Sequence, residues 1–126
     1  MNRSHIKALR PEIPSAETTH SKEIESFQNA VLRPILKFQN EWIMTFILAN
    51  QQFNELLEKQ QTNEQLQIFI LDYIGKQNAL KNQLIGSVIG LLTEEELIFY
   101  FTNQSDLNKR IYQMICQRMY DNLKAA

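Results

Sequence analysis

The chain has 126 residues, 44% of them apolar, and a formal charge of −1 from 13 basic and 14 acidic side chains. That is one domain's length with material for one core, and the near balance of charge argues against nucleic acid as a partner. A single cysteine excludes an internal disulfide, and two histidines leave little with which to build a metal site.

Residues 1–20 contain Pro11 and Pro14 among small polar residues, with Ile6, Leu9 and Ile13 as the sizeable apolar groups. They read as an N-terminal arm, mildly basic against an acidic middle of the chain, that must dock on its own body, a second subunit or a lattice neighbour. The opening "MNRSHIKALRPE" has no apolar stretch, so no secretory leader is expected.

Residues 21–126 are predicted to form a helical domain. Phe27, Val31, Ile35, Phe38, Trp42, Phe46, Ala49 and Phe53 recur at steps of three and four, the stripe of an amphipathic helix. The triplet Phe-Gln-Asn at 27 and again at 38 is that face repeating after about three turns. Asn29, Arg33 and Asn40 then align on the opposite side, flanked by Lys37, as a polar ridge. Inside an α-helix Pro34 would lose its N–H bond and press on the Ala30 carbonyl, at a cost of ~3 kcal/mol. A kink or a break is therefore predicted near residues 30–34, with Pro34 in the first turn of the second piece. The run "WIMTFILA" is apolar nearly all round and marks that piece as the central, buried helix.

Residues 50–61 turn polar and end it. Thr62 with Gln65 forms a capping-box pattern before a helix over residues 63–76, with Gly75 near its end. A helix over 78–92 follows. Thr93 with Glu96 is a second capping box, opening a short helix that ends near Thr102–Asn103. The last helix, over 105–124, carries the stripe Leu107, Ile111, Met114, Ile115 and Met119 and an Asp106–Arg110 pair one turn apart. No segment alternates as a strand does. The predicted class is all-α, a single-domain bundle of five or six helices. Its longest apolar runs fall short of the ~20 residues that span a bilayer, so no membrane is expected.

Chemistry is less legible. His5 and His20 both lie in the arm; His20 and Glu23 offer two ligands and the sequence supplies no third, so neither metal nor cofactor is expected. There is no nucleophile elbow and no glycine-rich phosphate loop. Cys116 sits in an apolar helical pattern and reads as a buried thiol, while Glu94, Glu95 and Glu96 read as capping charge. No catalytic residue is assigned. Gly86 and Gly90, four apart, predict a notch for close helix packing. A helix-turn-helix around Gly75 would present Lys76, Gln77, Asn78 and Lys81, yet Lys81 falls where such a motif buries an aliphatic residue. The candidate binding surface is the ridge of Asn29, Arg33, Lys37 and Asn40. It has two readings: Arg33 donates to carbonyls freed at the helix break, or it meets an anion on a ligand or partner.

Three segments in order, "FQNxxLRPIxKxQN" at 27–40, "LKNxLxGxVxGxxTxEE" at 80–95 and "LNKRIxxMIxQRMxD" at 107–121, resemble a family of short all-helical proteins from Bacteroidetes. The resemblance spans most of residues 21–122 and implies an all-helical fold with no established active site. It also implies a common surface of Arg33, Pro34, Lys37, Asn40, Arg110 and Arg118. Some relatives are labelled glyoxalase. Glyoxalases are built from paired βαβββ modules with histidine and glutamate ligands on strands, and this chain has neither the strand pattern nor the histidines. Leu91-Leu92 stand where some relatives carry a histidine after the second glycine.

The expected function is that of a small, non-enzymatic, cytoplasmic protein acting through association, either with a protein partner or as a homodimer with the arm in its interface. The alternative is a small-molecule binder or enzyme with a pocket between helices, lined by Trp42, Tyr73, Tyr100 and Tyr112.

Overall fold

The computed structural model describes Ile6, Leu9 and residues 23–125. Apart from Ile6, which is buried, and Leu9, which is exposed, the arm expected over residues 1–20 lies outside the described residues, as do His5 and His20. In chain order the helices are α1 (Glu23–Phe27), a π turn (Gln28–Leu32), α2 (Arg33–Leu48), α3 (Gln51–Leu57), α4 (Asn63–Gly75), α5 (Asn78–Ile89), α6 (Glu94–Thr102) and α7 (Gln104–Leu123). Because α1, the π turn and α2 follow one another without interruption, the described residues form six helices and no strand. They close around one apolar core.

The π turn is the form taken by the irregularity at Pro34. Phe27, Leu32 and Arg33 all keep right-handed helical dihedrals, and the Arg33 N–H donates five residues back to the Gln28 carbonyl. Pro34 stands in the first turn of α2, as predicted. A wider turn just before the proline ring gives the chain a helical path that avoids the clash with the carbonyl one α-turn earlier. The helix runs through, widened rather than broken.

That turn takes up one residue more than an α-turn would, and most of the apolar positions along α2 move by one place. The predicted stripe of Val31, Trp42 and Phe46 gives way to Leu32, Ile43 and Ile47, all buried; Ile35 stays buried with Leu36 beside it. Phe38 and Trp42, expected in the core, are 45% and 43% exposed. Ala49 is exposed as well. Thus α2 is not the enclosed central helix that its composition implied. That place belongs to α7, which packs against α2, α4, α5 and α6 and buries Leu107, Ile111, Ile115, Cys116 and Met119.

The caps explain the remaining boundaries. Asn50 starts α3 by accepting the Phe53 N–H at 2.9 Å, so Phe53 is buried on a helix of its own. Thr62 accepts the Gln65 N–H, but the Gln65 side chain reaches the N–H of Gln61 and not that of Thr62. At Thr93 and Glu96 both bonds of the capping box are made. The Asp106–Arg110 pair forms at 2.8 Å.

The close crossing expected at Gly86 and Gly90 is not formed among the described residues. Both glycines are exposed; a methyl at Gly86 would have no neighbour within 4 Å, and one at Gly90 would meet the Gly86 carbonyl of its own helix at 3.2 Å. The tight approach is at Gly75, where the Tyr112 hydroxyl of α7 lies 3.0 Å from the place of a Cβ. Spacing alone could not distinguish a glycine facing a helix from one facing solvent.

A polar groove between the π turn and the last helix

The predicted ridge lies along a groove between the π turn, α2 and α7. A hollow of about 360 Å³ is walled by Gln28, Asn29 and Arg33 on one side and by Gln117, Arg118 and Asn122 on the other, over Leu36 and Met114, with Asp121 completing the lining. The rotation imposed by the π turn is what puts Asn29, Arg33 and Asn40 against α7 instead of on an isolated outer face. Asn40 and Asn122 exchange amide hydrogen bonds at 3.0 and 3.3 Å, and the Arg118 guanidinium donates to the Asn40 oxygen at 3.4 Å. Lys37 is exposed and outside the lining.

Charge in this hollow is not balanced internally. Among the described residues the Arg33 guanidinium makes no hydrogen bond or ion pair, so the side chain does not cap carbonyls of the π turn. Arg118 is held below the usual guanidinium range, first by burial and then by repulsion from Arg33, with Asp121 acting in the opposite sense. Asp121 itself accepts from Gln117 at 3.1 Å and lies 3.7 Å from Lys124. Next along the groove, a hollow of about 540 Å³ shares Gln28, Met114 and Gln117 and adds Lys109 and Arg110. There the arginine is already satisfied, by Asp106 at 2.8 Å and by the Gln28 side chain at 2.7 Å.

The aromatic residues proposed for an inter-helix pocket do not act together. The Tyr73 hydroxyl bonds with Asn50 and Gln52, Tyr100 donates to Asn108, and Tyr112 donates to the Leu71 carbonyl. Trp42 stacks on Phe46 with ring centres 4.9 Å apart. The pair borders an open hollow of about 580 Å³ with Thr45, Asn50, Ala79 and Leu80, and no charged side chain lines it.

Two further features follow from packing. Cys116 is buried beside Tyr112, and burial pushes its thiol up to about 11. Lys81 lies over the Tyr112 ring, 4.6 Å from its centre, where it is half-buried and no longer on a groove-reading face. Among the described residues no three His, Cys, Asp or Glu side chains converge as metal ligands would, and no helix is long and apolar enough to cross a membrane. No protein-family model, no curated protein and no solved structure matches this chain. The resemblance to helical proteins of Bacteroidetes thus rests on its three segments alone.

Proposed function

We propose that the protein works by association, as a homodimer joined through the outer face of α2. The carrying observation is the exposure of Phe38 and Trp42 on one side of that helix, next to the uncharged hollow bordered by Trp42, Phe46 and Leu80. A pair of large aromatic groups nearly half in water is costly to leave uncovered, each offering on the order of 1 kcal/mol when the remaining surface is covered. A second copy is the occupant that suits the face best. Half-exposed rings and an uncharged hollow lie side by side on one surface, an arrangement that suits a two-fold, self-complementary contact. The lining has no charge to select an oppositely charged partner, and a formal charge of −1 gives two copies little mutual repulsion.

The test is the mass of the full-length protein in solution. Light scattering should give a dimer at tens of micromolar, and Trp42→Glu should give a monomer with an unchanged helical circular dichroism spectrum. Trp42 fluorescence should shift to the blue as wild-type concentration rises through the dissociation constant. A wild-type monomer at that concentration would exclude the dimer.

A further inference from the structure

We infer that the hollow between the π turn and α7 is a binding site for a small phosphate monoester, whose phosphate is held by Arg33 and Arg118. This site lies apart from the aromatic face of α2, and neither proposal depends on the other. Three observations lead to it. Arginines from two separate helices line one concave space, and the Arg33 side chain has no ion-pair or hydrogen-bond partner among the described residues. Amide side chains of Asn29 and Gln117 share the lining and supply further donors that need no change of protonation, whereas the Asn122 amide is engaged with Asn40 and the Arg118 carbonyl. Finally, the wall carrying Asn29 is a π turn, a distortion that accommodates Pro34 and is frequent where a helix serves a site.

The charge pattern selects the ligand. Two arginines in one lining destabilise the empty site, since repulsion from Arg33 adds to burial in lowering Arg118. A carboxylate has two oxygens in one plane and satisfies one fork well. A tetrahedral dianion can accept from two forks in different directions, which suits arginine better than lysine. Asp121 adds one negative charge at the edge, offset by Lys124, so the lining retains an excess of positive charge. The head group belongs here and not beside Arg110, whose guanidinium is already paired with Asp106. The remainder of the ligand has room along the adjoining hollow, past Gln28 and Met114 toward Lys109.

Titration calorimetry on the full chain at low ionic strength, with glycerol 3-phosphate, inorganic phosphate and acetate as probes, tests this. Glycerol 3-phosphate should bind one per chain and at least as tightly as inorganic phosphate, with acetate at least about tenfold weaker. Arg33→Gln, an exposed position whose change leaves the fold intact, should weaken it about tenfold; Arg118→Gln should do the same if it folds. Asp121→Asn should tighten binding about two- to threefold by removing a like charge. Lys59→Gln, outside the groove, is the control for general charge attraction. No saturable binding would overturn the site, and so would equal weakening by Lys59→Gln and Arg33→Gln. Inorganic phosphate binding with the ester excluded would overturn the ligand class.

Discussion

A single methyl group distinguishes two accounts of α5. If Gly86 were kept small by a neighbouring helix, larger side chains there would be destabilising. The geometry gives the opposite sign: Gly86 is exposed within α5 and a Cβ would meet open space. Glycine inside a helix loses more backbone freedom on folding than alanine does, by about 0.5–1 kcal/mol. Gly86→Ala should therefore stabilise the protein by about that amount, read as a higher urea midpoint at constant slope. A loss of ~1 kcal/mol or more would mean that something packs against this face. Gly75 is the contrasting case, since a methyl there would displace the Tyr112 hydroxyl from its place beside α4.

Among elements, the π turn governs most. Helix positions, caps and most boundaries were readable because each depends on neighbours within four residues: Thr93 with Glu96, Asp106 with Arg110, Pro34 at a helix start. The identity of the buried face along α2 was not readable in this way. A strict 3.6-residue period carried from Phe27 selects Phe38 and Trp42, and the one-residue slip in Gln28–Leu32 selects Leu36, Ile43 and Ile47. Proline announces that the helix is disturbed and leaves open whether it bends, breaks or widens. If the widening accommodates Pro34, deletion of the exposed residue Ala30 should close the turn to α and restore the clash, costing ~3 kcal/mol. The same deletion combined with Pro34→Ala should recover a substantial part of that loss, even though alanine fills less of the core. Thermal melts of the single and double variants decide it. Equal melting points would mean that Pro34 is not what the turn serves.

On the scale of the whole molecule, the organising contacts are those between distant segments. Asn29, Arg33 and Asn40 share a helix face and could be grouped from spacing. Their counterparts Gln117, Arg118 and Asn122 lie some eighty positions away, and only the packing of α7 against α2 brings the two sets together. The same helix concentrates the ionisation behaviour of the fold. Cys116, 3% exposed on α7, has its thiol pushed up to about 11 from an ordinary 9.0, mainly by burial, with the Tyr112 hydrogen bond and Lys81 pulling weakly the other way. Tyr112 is raised in turn, by burial first and then by Cys116. A raised acid holds its proton more firmly in the folded state than in the unfolded chain, so its stabilising effect is complete below pH 9 and is lost as pH rises toward 11. For the buried thiol this amounts to roughly 2–3 kcal/mol, with the partly exposed Tyr112 acting in the same direction above pH 10. The urea midpoint should accordingly fall between pH 8 and pH 10.5. Cys116→Ala should begin less stable at pH 8, through the small cavity it leaves, and should lose less over that interval. If wild type and variant decline in parallel, the buried thiol is not the group that sets alkaline stability, and the raised Tyr112 hydroxyl accounts for the slope instead.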